Sequence, residues 1–230
     1  MKTHFVKLTT TPDLVDQVYR SLLDAINEGQ LAPGTRITQE DIAIQLAVSR
    51  QPVLQAFRLL KRDGFVMDAP GRGVLITPLD VIQVGRLYQV RSALDALAVK
   101  LASERCCIID PKLIVRGRKA TQAKDLNEMI DADMAFHLAI YQASNNPLIA
   151  ESAHLHWNHL RRVMGAVLHS SKHAKSVWDE HEALSKAISD GNTEKAVNLS
   201  CRHVDKASIS LTTRLSDQLN KQPQKTQEEL

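Results

Sequence analysis

Apolar residues recur at helical spacing along most of this chain. Val53, Phe57 and Leu60 fall at i, i+4 and i+7 and predict a helix with one buried stripe, ending at Arg62-Asp63-Gly64. Ile37-Thr38-Gln39-Glu40-Asp41-Ile42-Ala43 predicts a shorter helix just upstream, with a tight turn between the two. Ser49 stands where it should cap the second helix by accepting a bond from a first-turn N–H. Pro52 is tolerated in that turn because its N–H groups lack helical partners. Phe65-Val66-Met67 and Val74-Leu75-Ile76 read as two short strands around the turn Pro70-Gly71-Arg72-Gly73. Beyond Ile76 the pattern is helical throughout, with helices expected at about 80–104, 111–127, 129–143, 147–169, 175–189 and 193–215. Pro111 and Pro147 open two of these, Asp190-Gly191-Asn192 is a turn, and 220–230 has no apolar periodicity and reads as a disordered tail.

The order helix, turn, helix, hairpin is that of a winged helix-turn-helix. Its second helix leaves Arg50, Gln51, Leu54, Arg58 and Lys61 off the buried stripe, and a helix with donors at its N-terminal end suits a DNA major groove. Arg72, lifted by Gly71 at the wing tip, would meet phosphate or the minor groove. A small α+β domain without a nucleic-acid role is the plainer alternative. The net charge is only +3 at pH 7, but in 49–73 Arg50, Arg58, Lys61, Arg62 and Arg72 face only Asp63 and Asp68, so positive charge gathers where DNA would lie.

Leu31-Ala32-Pro33-Gly34-Thr35-Arg36-Ile37, Val48-Ser49-Arg50-Gln51-Pro52-Val53, Arg62-Asp63-Gly64-Phe65-Val66 and Gly71-Arg72-Gly73-Val74 resemble the DNA-binding half of GntR-type bacterial repressors, over roughly 10–78. The family usually has an arginine and a glutamate after the Pro-Val; here Leu54 and Gln55 stand there. That arginine is normally a DNA contact. The resemblance therefore implies a shifted base preference, with Leu54 either meeting a thymine methyl or covering helix surface.

In the helical part, polar residues interrupt apolar stripes. Ile130, Asp133, His137 and Ile140 share a face, with Asp133 and His137 one turn apart. Such a pair is satisfied by a mutual hydrogen bond or by an ion. His181 precedes Gly191 by ten residues and His203 follows it by twelve, so a helical hairpin about that turn sets them level. Three imidazoles and a carboxylate suit Zn²⁺, Ni²⁺ or a similar divalent ion. Imidazole binds metal when neutral, so affinity is expected to fall below about pH 6.5. Glu180 and Glu182 flank His181 but, being its helix neighbours, point elsewhere. Arg91 lies on the inward stripe of Leu87, Leu94, Ala98 and Leu101, where it either pairs with Asp95 or clamps the carboxylate of an effector. Arg161 and Arg162 are weaker candidates that solvent could simply cover.

Asp133-Met134-Ala135-Phe136-His137, Asn145-Asn146-Pro147-Leu148, Glu180-His181 and His203 resemble the FCD ligand-binding domain of the FadR branch of GntR regulators, over about 80–215. Many members hold a metal through one Asp and three His in this order and sense small organic acids. The resemblance implies Asp133, His137, His181 and His203 as ligands, and a small organic acid for which Arg91 is the candidate effector contact.

The resulting expectation is a mainly α protein: a winged helix-turn-helix over 1–78 and an FCD-like all-helical bundle over 79–219. It would act as a homodimeric regulator on a near-palindromic double-stranded operator, respond to a small organic acid, and not be an enzyme. A di-iron bundle enzyme needs paired Glu-x-x-His motifs, which are absent; a mononuclear metalloenzyme or a purely structural metal are the competing readings. No stretch is long enough to span a membrane, Met1-Lys2-Thr3 leads into no signal-peptide core, and Cys106, Cys107 and Cys201 make no disulfide framework, so a cytoplasmic protein is expected.

Overall fold

The computed structural model describes residues 14–168 and 174–221. They divide into two compact units at Pro78 and Leu79. The first holds α1 (Leu14–Asn27), β1 (Arg36–Ile37), α2 (Gln39–Gln45), α3 (Arg50–Arg62), β2 (Val66–Asp68) and β3 (Val74–Ile76). β3 is the middle strand of an antiparallel sheet ordered β1-β3-β2, with Ile37 opposite Val74 and Met67 opposite Leu75. Val18, Leu22 and Ile26 of α1 are buried with Val53, Ala56, Phe57 and Leu60 of α3. α2 is capped reciprocally: the Thr38 hydroxyl accepts from the Asp41 N–H at 3.2 Å and donates to its carboxylate at 2.6 Å. Ala47, at φ +52°, makes the sharp turn before α3.

Ser49 occupies the N-cap of α3 but makes no side-chain cap bond, contrary to expectation. The reason lies in the sequence. A capping hydroxyl bonds the second or third helical N–H, and the third residue is Pro52, which has none. β1 was also unforeseen. It adds Arg36, whose guanidinium donates to the Arg72 carbonyl at 2.8 Å and holds the wing turn. Gly73, at φ +94°, lies so close to this strand that a Cβ would stand 2.3 Å from the Ile37 carbonyl oxygen.

The second unit holds α4 (Val81–Glu104), α5 (Pro111–Ala123), α6 (Leu126–Ala143), α7 (Pro147–Val167), α8 (Ala174–Ser189) and α9 (Thr193–Lys221). Phe136, Tyr141, Leu160, Leu184, Ile188 and Leu215 are among its most buried side chains. The α5–α6 break falls at Lys124 and Asp125, earlier than 128. Lys124 adopts the left-handed conformation at φ +56°, and Asp125 caps α6 by accepting from the Glu128 N–H. α9 runs past residue 215 through Asn220 and Lys221, two residues of the expected tail; 222–230 lie outside the described residues, as do His169 and His173. Among the described residues no helix is long and apolar enough to cross a membrane.

Gly117 of α5 sits against the buried Trp178 ring. A Cβ there would stand 1.9 Å from the ring. Alanine normally favours a helix by about 1 kcal/mol over glycine. Here the sign should reverse: Gly117→Ala is expected to destabilise the protein by about 1–3 kcal/mol through overpacking, measured by urea unfolding. A stabilised variant would show that Trp178 can yield.

Candidate functional site

Asp133 and His137 of α6, His181 of α8 and His203 of α9 converge, each offering a ligand atom within 4.8 Å of the others. His181 is fully buried, and His137 and His203 nearly so. The Nε2 atoms of His181 and His203 are 3.3 Å apart. Asp133 Oδ1 lies 3.4 Å from His181 Nε2 and 4.0 Å from His137 Nε2. Tetrahedral ligands about 2.1 Å from one ion stand about 3.4 Å from each other, so the spacing fits a shared divalent cation. The outer atoms fit too. His137 Nδ1 faces Asp95 at 3.4 Å and His203 Nδ1 faces Glu180 at 2.9 Å, the carboxylate backing that fixes a ligating imidazole's tautomer. Glu180 therefore does reach the site, through α9 rather than its own helix. His181 stacks on Phe136 at 4.2 Å, and its Nδ1 is buried with no hydrogen-bond partner.

Charge at this centre is arranged in pairs. Arg91, 3 % exposed, donates from Nε to Asp95 at 3.2 Å and from a terminal nitrogen to His137 Nε2 at 2.8 Å. Its guanidinium lies 4.0 Å from the Trp157 ring centre. Tyr141 donates to Asp95 and accepts from Trp157 Nε1 at 3.2 Å. Burial alone would raise the Asp95 carboxyl, but Arg91 and His137 outweigh it and hold it well below the carboxylate range. Burial, then Asp95, pushes the Tyr141 hydroxyl up. Burial and the Arg91 charge lower His137, and burial with the neighbouring imidazoles and Arg91 lowers His181 further. The His203 hydrogen bond, helped by Lys206, takes Glu180 down to about 2. Arg91 can only donate, so His137 Nε2 presents its lone pair to it. A metal ion would need that same lone pair.

The cluster borders a cavity of about 460 Å³ in the second unit. Its polar and charged lining includes Arg91, Asp133 and His203, with Tyr88, Glu180, Lys206 and Arg214. Met129, Ile130, Met164, Leu168, Val177, Trp178 and Leu211 supply apolar wall. Arg91 pairs with Asp95 and also lines this cavity. Arg161 pairs with Asp131. Arg162 is buried rather than solvated, and burial takes it down to about 10.

In the first unit Ser49, Arg50, Gln51, Arg58, Gly71 and Arg72 are exposed and Leu54 is half-buried. The basic surface is less free than its sequence suggested. Arg50 pairs with Glu40 at 2.7 Å, Lys61 with Asp68 and Arg62 with Asp63. Glu40 lies ten residues before Arg50, outside the basic segment 49–73.

The bacterial regulatory protein gntR family model matches residues 14–76, and the FCD domain model matches 86–206. The uncharacterised HTH-type transcriptional regulator YdhC of Bacillus subtilis strain 168 is 27% identical over 201 residues, covering 82% of this chain and 89% of that one. A putative GntR transcriptional regulator from Rhodococcus sp. RHA1 superposes with a TM-score of 0.74 at 25% identity, over 86% of this chain and 97% of that one. The E. coli McbR/YncC structure gives 0.75 at 21% identity, over 90% and 100%, and supports the fold. The chain belongs to the GntR family of bacterial regulatory proteins, as a transcriptional regulator whose second unit is an FCD effector-binding domain.

Proposed function

We propose that this regulator binds a near-palindromic operator as a homodimer and that a small organic acid, seated beside a divalent metal, alters that binding. The observation that carries the reading is the convergence of Asp133, His137, His181 and His203 in one cluster, of which Asp133 and His203 line a cavity together with Arg91. A Zn²⁺ or Ni²⁺ held by these four side chains would supply a Lewis-acidic anchor for a carboxylate oxygen. Arg91, once its arm leaves His137, has donors for the second oxygen. Arg91 with Asp95, and Glu180 with Lys206, cancel in charge. Beside the ion, Asp133 and a divalent charge then leave one positive charge, which favours one carboxylate there; Arg214 is a further cation on the cavity lining.

A metal with a structural role only is the second reading, favoured by the way the ligands tie α6, α8 and α9 together. Operator binding with and without metal, across candidate acids, tests the two. A response to an acid only in the metal-loaded state supports sensing; a metal effect on melting with no acid response supports the structural role.

Dimerisation is assigned to the second unit, where α4 leaves Val90, Ala93 and Leu97 exposed on one face. A two-fold protein would match a two-fold operator in the cytoplasm, one α3 per half-site. Arg50→Ala is expected to weaken specific operator binding by about 1–3 kcal/mol, and Arg72→Ala to weaken binding more evenly across sequences. Fluorescence anisotropy on an operator selected from genomic DNA checks both, and wild-type affinity in both variants would refute the docking.

A further inference from the structure

The cavity's walls say more about its occupant than its charged groups do. Trp178 spends its one polar atom elsewhere: Nε1 donates to Thr121 at 3.1 Å, leaving ring carbon for the cavity it lines. Met129, Met164, Leu168, Val177 and Leu211 offer no conventional hydrogen-bonding group. Two exposed serines also border the cavity among the described residues. Ser210 accepts from Arg214 at 3.3 Å, and Ser176 has a partner too. A ligand hydroxyl placed along this wall would lose water and gain little in return, whereas methylene or ring carbon would be stabilised by leaving water. Two methionines add a wall that can adapt to shape. Beside the ion the described charges suit one carboxylate, and a second one set along the apolar wall would lose water without a partner.

From these observations we infer that the effector is a monocarboxylate with an apolar body, aliphatic or aromatic, rather than a hydroxy acid, sugar acid or polycarboxylate. Its carboxylate lies toward Arg91, Asp133 and His203, and its body runs along Met129, Val177 and Leu211. The inference rests on the acid-sensing reading above and narrows it to a ligand class.

Calorimetric titration of the Zn²⁺-loaded full chain with acetate, butyrate, hexanoate and octanoate tests it, with octanol, lactate, gluconate and citrate alongside. Affinity should rise roughly fourfold per added methylene until the cavity fills. Octanoate should exceed acetate by at least about a hundredfold, and lactate, gluconate and citrate should bind no tighter than acetate. Val177→Asp and Met129→Gln should each weaken octanoate about tenfold or more and leave acetate unchanged. A flat chain-length series, or citrate or lactate binding as well as octanoate, would overturn the apolar body while leaving acid sensing intact. Octanol matching octanoate would overturn the acid-sensing reading itself. Absence of binding by every compound would overturn both, and unchanged octanoate affinity in both variants would overturn the assignment of its body to this wall.

Discussion

Metal-stripped protein should melt well below its Zn²⁺- or Ni²⁺-loaded form. An ion on Asp133, His137, His181 and His203 would bind only where α6, α8 and α9 are assembled, so its binding free energy adds to folding. With free metal about a thousandfold above the dissociation constant the gain is about 4 kcal/mol. His203→Ala should abolish that gain and leave no stoichiometric metal in elemental analysis. His181→Ala should do the same and cost further packing, because that ring is fully buried against Phe136. Calorimetric melting with and without chelator reads the effect. Protein that holds no metal and shows no shift on adding Zn²⁺ or Ni²⁺ would end the metal assignment.

Acid should act on the metal-free form in a defined direction. His137 and His181 titrate below the ordinary histidine value of 6.5, so below that pH the unfolded chain takes up protons at these positions before the native one does. Stability is therefore full above about pH 6.5 and falls as pH drops toward the lowered native values. Urea unfolding at pH 7.5 and 5.5 should show the loss, and His181→Gln should reduce it; an equal loss in that variant would assign it to other groups. The same burial shifts proton–metal competition at these two rings below the 6.5 expected from sequence.

Much of this was legible in the chain because the informative features are local. A four-residue step puts Asp133 and His137 on one face, and the Gly191 turn sets His181 level with His203, which geometry bears out at 3.3 Å. Where the reading failed, the cause was local detail or distance in sequence. Pro52 removes the N–H that Ser49 would cap. Asp125 and Glu128 form the capping signal that places the α5–α6 break, within an otherwise continuous apolar pattern. The rest needed tertiary pairing. Nothing near His203 names Glu180, nothing near Arg50 points to Glu40, and nothing in the spacing of α5 shows that Gly117 is there to admit Trp178. Tyr141 and Trp157 read as core aromatics; only the fold turns their polar atoms toward Asp95.

Asp95→Asn should destabilise the protein by about 3–5 kcal/mol, because it strips the anion from a guanidinium that cannot shed its proton. Asp95 and Arg91 are both nearly fully buried, and the carboxylate serves Arg91, His137 and Tyr141 together. An amide in its place still accepts through one atom but presents N–H groups to other donors. It also weakens the partner that sets the His137 tautomer, so metal affinity should fall about 10–100-fold in the protein that remains folded. Arg91→Ala is compromised as a probe of effector binding for the mirror-image reason: it leaves Asp95 charged and unpaired. Replacing both partners resolves this. Arg91→Met with Asp95→Leu should recover most of the lost stability, since apolar groups of similar volume are tolerated where a lone charge is not. That double variant should fold and bind operator yet show no response to an acid effector. Urea unfolding and operator titration read the two outcomes separately. A loss under about 1 kcal/mol in Asp95→Asn would refute the buried-charge argument, and a full acid response in the double variant would leave Arg91 as half of an ion pair and nothing more.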